Sequence, residues 1–228
     1  MFGMTRRFQR RIRRAGLDWA QDRLSGPFTL GGMFDGLEAR AATLGGRRPA
    51  RSPSDASKAT LVDFHLRPGT DVIELGAGCG TLSPALRARI GPAARHLAVE
   101  ADPLRAALVC DAAPEAEVIA AAVDHSGAAS LGIGPARECY DVPAITLAAL
   151  LARLPDRFAL VCDIGGAEAA MVAAEAPVFE RCDVAVLACH PARYPDGEAD
   201  LDALVAALAT TGLHAAARVG DVLAFVRR

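Results

Sequence analysis

The sequence has no C-x-x-C pair, no apolar run of transmembrane length and no strong excess of either charge. Each absence removes a class of function. The six cysteines (79, 110, 139, 162, 182 and 189) are scattered, several of them in apolar runs, so they read as buried free thiols in a reducing compartment. Neither a disulfide frame nor a zinc site is expected from such spacing. The basic start is followed by no secretory apolar core, and the expected location is the cytoplasm. A formal net charge of −2 gives bulk electrostatics no hold on a nucleic acid. What is present is 228 residues, 52% of them hydrophobic, enough for one full α/β core and a terminal segment.

The most informative stretch is Asp71–Gly80, DVIELGAGCG. Val72, Ile73 and Leu75 form a short apolar run that reads as a buried strand, with Glu74 near its end. Gly76, Gly78 and Gly80 follow at alternate positions, and Leu82, Leu86 and Ile90 mark a helical stripe closed by Gly91-Pro92. Strand, glycine loop and helix form a unit that lets backbone N–H groups approach a nucleotide-like ligand. A dinucleotide fold spaces these glycines G-x-G-x-x-G, whereas this chain reads E-x-G-x-G-x-G. An acid beside the loop suits a cationic ligand such as a sulfonium and repels a pyrophosphate.

Upstream, residues 1–25 open with a basic run of six arginines (6, 7, 10, 11, 13 and 14), with Phe8, Ile12, Ala15 and Trp19 on one helical face. An amphipathic helix with a solvated basic face is favoured, over a lid, an acid-binding arm or a targeting presequence. Residues 26–55 are loop-like, and the boundary between this appendage (1–54) and the core (55–228) is expected near Ser52-Pro53-Ser54. A short helix is expected over Asp55–His65, with Ala59, Leu61, Val62 and Phe64 as its apolar residues.

Downstream, strands are expected at His96–Glu100, Glu117–Ala122, Phe158–Cys162 and Val184–Cys189, with an extra short one at Ser130–Ile133. Helices are expected at Leu104–Ala112, from the Thr146 cap to Pro155, at Ala167–Ala176 and at Leu201–Thr211. Two runs flanking Gly220-Asp221 read as a terminal β-hairpin. Separating helices force parallel strands, and the hairpin forces one antiparallel strand. Ligands in such sheets sit beyond the carboxyl ends of the strands, where Glu74, Glu100, Asp163 and His190 fall. Glu100 stands about 20 residues past the loop, at the distance from which an acid accepts from ribose hydroxyls. Small residues after the third strand leave room for an adenine ring, and Asp124 there either accepts from its amine or caps the turn.

From about Ala59 onward, the motifs VIELGAGCGTLS, LAVEADP, VPAITLAALL and CDIGGAEAAM resemble the FkbM-type methyltransferases, a branch of the class I enzymes that use S-adenosylmethionine. The resemblance implies a Rossmann-like, seven-stranded, mostly parallel sheet with an antiparallel last strand and helices on both faces, to which the basic segment adds an N-terminal helical appendage. It also implies O-methylation of a hydroxyl on a sugar, polyketide or related small metabolite. The expected cofactor contacts are Glu74, Gly76, Ala77, Gly78, Gly80, Glu100, Ala101, Ala122, Asp124 and Asp163, and the expected proton acceptors are His190 and Asp163. His190 is favoured because imidazole titrates near neutrality. Glu168 reads as a first-turn helix carboxylate, and no metal is expected, since cation-dependent chemistry needs a denser set of oxygen ligands. The chain departs from the family pattern K-x-D-x-E-G-x-E, with Val161 at the lysine and Gly165 at the first glutamate. These departures keep open a module that binds cofactor without turnover. A nicotinamide oxidoreductase is a third reading, opposed by the glycine spacing.

Overall fold

The structure, a computed structural model, describes residues 53–126, 130–133 and 140–228. The expected basic helix and loop over residues 1–52 and the turn at Gly127 lie outside the described residues.

Helix α1 (Pro53–His65) carries Asp55 in its first turn. Strand β1 (Val72–Leu75) leads into α2 (Ser83–Ile90), β2 (His96–Glu100) into α3 (Pro103–Ala112), and β3 (Glu117–Ala120) follows. Three short strands come next: β4 (Ala122–Val123), β5 (Ser130–Ile133) and β6 (Tyr140–Ile145). The second half runs α4 (Leu147–Leu151), β7 (Phe158–Cys162), α5 (Glu168–Ala174), β8 (Cys182–Ala188), α6 (Glu198–Thr210), β9 (Leu213–Val219) and β10 (Val222–Arg227).

The main sheet has seven strands in the order β3-β2-β1-β7-β8-β10-β9. β10 is antiparallel to both β8 and β9, and every other pairing is parallel, so one strand runs against six. Strands buried along their whole length need cover on both faces. On one face Ile73, Leu97, Leu160 and Leu187 pack with Leu147, Met171, Leu204 and Leu208 of α4, α5 and α6. On the other, Val72, Val161 and Val186 pack with Leu61 of α1 and with Leu86 and Ile90 of α2. Phe64, expected in the apolar stripe of α1, is 82% exposed, because the buried stripe runs through Lys58, Leu61 and Val62.

The chain builds β1, β2 and β3 outward in one direction, then returns to place β7 on the other side of β1. The helices that follow β1 and β7, α2 and α5, therefore pack on opposite faces of the sheet, and a crevice opens at the carboxyl ends where the strand order reverses.

Two local expectations are corrected. The run Glu117–Ala122 is not one strand: β3 ends at Ala120, and Ala122–Val123 pairs instead with β6, opposite Ala144 and Ile145. β6 itself carries no sequence signal, because Pro143 in its centre reads as a strand breaker. It is tolerated because β4 pairs only with Ala144 and Ile145, so Pro143 lies opposite Ser130 of β5 and opposite no residue of β4. The expected strand at Ser130–Ile133 is present as β5.

Candidate active site

A cleft of about 650 Å³ lies beyond the carboxyl ends of β1, β2 and β7. Its floor is the glycine loop. Gly76 and Ala77 both donate to the Val99 carbonyl, at 2.9 and 3.1 Å, which ties the loop to β2. Gly76 has φ +72°, and a Cβ there would stand 2.0 Å from the Asp163 carbonyl oxygen, so the loops after β1 and β7 pass in direct contact. Gly78, at φ +59°, lines the cleft, and a Cβ there would meet nothing within 4 Å. Gly80 packs the loop onto α3, its added Cβ falling 2.8 Å from Ala112 Cβ, and it does not line the cleft.

Glu100 ends β2 and is 7% exposed. Its Oε2 accepts from Gly78 N at 2.7 Å and its Oε1 from Asp102 N at 2.9 Å, so one carboxylate shapes the glycine loop and fixes the turn into α3. Burial pushes its pKa up from the ordinary value, and these two N–H donors offset only part of that. Each oxygen keeps a second lone pair. Asp102 caps α3 by accepting from Leu104 N.

Glu74 is placed differently from the expectation. It is 3% exposed, and its Oε2 accepts from Ser83 Oγ at 2.8 Å and pairs with His96 Nε2 at 2.9 Å. Alternation along β1 turns this carboxylate away from the cleft and toward α2. Its partners join β1, β2 and α2; the acid beside a bound cation is not this one. Asp124 is likewise outside the cleft lining, and its Oδ2 accepts from Ser126 N and Ser126 Oγ in a local turn. Ala77, Ala101 and Ala122 do line the cleft.

Asp163, at the exit of β7, is the polar centre of the second half. Its Oδ2 accepts from Lys58 Nζ at 2.7 Å and Ser54 Oγ at 3.0 Å, and its Oδ1 pairs with His190 Nε2 at 3.1 Å. Lys58 also reaches Asp55 at 3.0 Å, and Asp55 accepts from Thr81 Oγ1 at 2.7 Å. Burial alone would push the Asp163 carboxyl up, but the Lys58 ammonium and the hydrogen-bond donors outweigh it and hold the pKa below the usual value. For Lys58, burial opposes the charge, and the two carboxylates overcome it, so its pKa lies above the ordinary lysine value. His190 pairs with Asp163 but stands beside the cleft rather than in its lining.

The first of the two departures, Val161, acquires a physical sense here. Val161 is 1% exposed on the apolar face beneath α1 and α2, where a lysine would be buried among hydrocarbons. The ammonium beside Asp163 comes instead from α1. Lys58 carries no sequence signal, because one lysine in a short polar helix reads as solvated; only the fold brings it to Asp163.

Asp163, Glu168 and His190 place one ligand atom each within 4.8 Å of one another. The donors are already engaged. Glu168, fully buried, accepts from Ile164 N and Gly166 N, and Lys58 occupies the cationic position beside Asp163. This set does not fit Ca²⁺ or Mg²⁺, which take six or more ligands, almost all of them oxygen.

No family model matches the chain, and no curated protein matches it. Solved structures do. Fibrillarin from Methanococcus jannaschii, a pre-rRNA processing protein, aligns at TM-score 0.50 and 15% identity over 77% of this chain and 75% of that one. A fibrillarin/NOP5P complex gives 0.50 and 16% over 77% and 83%. Fibrillarin from Aeropyrum pernix, with natively bound S-adenosyl-L-methionine, gives 0.48 and 16% over 79% and 83%. The fold is the Rossmann-like fold of the class I methyltransferases, with its single reversed strand. No helix among the described residues is long and apolar enough to cross a membrane.

Proposed function

We propose that this chain is an S-adenosylmethionine-dependent methyltransferase acting on a hydroxyl of a small acceptor, with the FkbM-type branch as the finer reading. One observation carries it: Glu100, held by the Gly78 and Asp102 N–H groups, presents its remaining lone pairs to a glycine-floored cleft at the β1–β7 switch point. A ribose diol is the partner such a carboxylate suits. Gly76, Ala77 and Gly78 would face the amino-acid end of the cofactor, and Ala101 and Ala122 its base. The formal net charge of −2 favours a small acceptor over a nucleic acid.

When bound, S-adenosylmethionine supplies an activated methyl group: the acceptor oxygen bonds to the methyl carbon as the carbon–sulfur bond breaks, and that electron pair stays on sulfur. The chain has to align the hydroxyl and take its proton. The Asp163 carboxylate, held ionised by Lys58, only accepts hydrogen bonds, so His190 Nε2 donates to it and Nδ1 keeps the lone pair. His190 is then the base, and Asp163 orients it. His190→Gln is expected to lower kcat about 100-fold while leaving cofactor affinity unchanged. Turnover that survives both this change and Asp163→Asn removes both residues from the proton path.

Calorimetry with S-adenosylhomocysteine and NAD tests the cofactor assignment. Binding of the first alone is expected, with pH dependence set by Glu100. A ribose diol favours the ionised carboxylate, whose pKa burial has raised, so affinity falls about tenfold as pH drops through a midpoint above 4.5. A midpoint below 4.5 would point to another group. No binding at pH 7 withdraws the proposed function.

A further inference from the structure

The β7–β8 half of the cleft holds a guanidinium that no carboxylate among the described residues answers. Arg193 ends the 3₁₀ turn Pro191–Arg193 beyond β8 and lines the cleft with an exposed side chain. Among the described residues no carboxylate lies within 4.0 Å of its guanidinium, and the one side-chain hydrogen bond it makes to them runs from Nη1 to the Gly165 carbonyl at a long 3.4 Å. The other two cations lining the cleft have acid partners. Lys58 lies between Asp163 and Asp55, and Arg105 lies 3.9 Å from Asp102.

The backbone beneath Arg193 is built to let it lie there. A Cβ at Gly165 would stand 3.3 Å from Arg193 Nη1, and one at Gly166 would stand 2.8 Å from Arg193 Cβ. The glycine pair after Asp163 thus seats the arginine against bare main chain. The position where an acid would neutralise it, residue 165, has no side chain. An arginine offers five N–H donors in a planar fork that matches a carboxylate or a phosphate.

We propose that Arg193 recognises an anionic group, a carboxylate or a phosphate, on the molecule that receives the methyl group. Naming that ligand the acceptor rests on the proposed function, which assigns the Glu100 half of the cleft to the nucleoside. The alternative partner in the same cleft is the cofactor's own carboxylate.

The test is titration of the ¹⁵N-labelled full chain with acetate and with inorganic phosphate, reading the arginine Nε–H signals. Arg193 is assigned from the signal missing in Arg193→Gln. Each titration is run on the free protein and on protein saturated with S-adenosylhomocysteine. The expected result is a saturable Arg193 shift in both states, with half-saturation at least tenfold below that of Arg105. The tighter anion of the two tells a carboxylate acceptor from a phosphorylated one. Arg193→Gln should leave the S-adenosylhomocysteine affinity within threefold of the parent. The proposal is overturned if Arg193 and Arg105 respond alike, or if S-adenosylhomocysteine alone saturates the Arg193 shift. Failure of S-adenosylhomocysteine to bind would count against the proposed function, while the free-protein titration still decides whether Arg193 is an anion site.

Discussion

Gly76→Ala is expected to destabilise the fold by about 3–5 kcal/mol, whereas Gly78→Ala, two residues on, should cost about 1 kcal/mol. Both positions have positive φ, so both substitutions carry the left-handed penalty. They differ in what the new methyl meets. At Gly76 it falls 2.0 Å from the Asp163 carbonyl oxygen and 2.8 Å from its carbon, which are main-chain atoms that no rotamer change can move. Relief requires β1 and β7 to separate at the centre of the sheet, where Leu75 pairs with Cys162 and both strands are buried. At Gly78 the methyl meets nothing of the protein and stands in open space at the cleft lining. Gly78→Ala should therefore stay folded and lose S-adenosylhomocysteine, while Gly76→Ala should lose both. Urea denaturation of the two variants decides it, and equal midpoints would mean that the close approach of the two loops is not a structural constraint.

Lys58→Met carries the second large effect. Lys58 is 5% exposed and holds the carboxylates of Asp163 and Asp55. Removing one partner of a buried pair leaves the other charge without compensation, at a cost of about 3–5 kcal/mol. Asp163 retains 21% side-chain exposure and two other donors, which brings the expected loss to about 2–3 kcal/mol. The double variant Lys58→Met, Asp163→Asn should recover part of it, because the orphaned charge is gone.

The pH dependence fixes the sign. Asp163 titrates below 3.8 in the folded state, so its contribution is present above that pH and fades as acid protonates it. Lys58 titrates above 10.5, so its contribution is present below that pH and fades as base removes its proton. The gap between parent and Lys58→Met should be flat between these limits and narrow outside them. A gap that stays constant from acid to alkali would assign the loss to hydrocarbon packing instead.

Much of this was legible in the sequence because the signals were local. The run Val72–Leu75, the glycines after it and the acid closing β2 each report on neighbours a few residues away. The main-sheet strands they announce are all present, and Glu100 does face the cleft beside Gly78. The missed features depend on distant partners. β6 was hidden by Pro143, which is accommodated because β4 pairs only with the two residues after it, Ala144 and Ile145. Lys58 was hidden because its meaning lies 105 residues away. Glu74 was misread because an acid on a strand next to glycines gives no indication of which face it takes. Ser83 and His96, the two side chains that draw it inward, come from separate elements.

The spacing between Lys58 and Asp163 also bears on how the chain is made. Translation at 5–20 residues per second spends roughly 5–20 s between these two residues. Through most of that interval the nascent polypeptide exposes one margin of β1, an interior strand of the finished sheet, and an unmatched strand margin invites pairing with another chain. Synthesis of β7 covers that margin and delivers the counter-ion of Lys58 in the same stroke. The margin of β7 itself then stays open until β8 is made, so the need for shielding outlasts the moment at which both walls of the cleft are present.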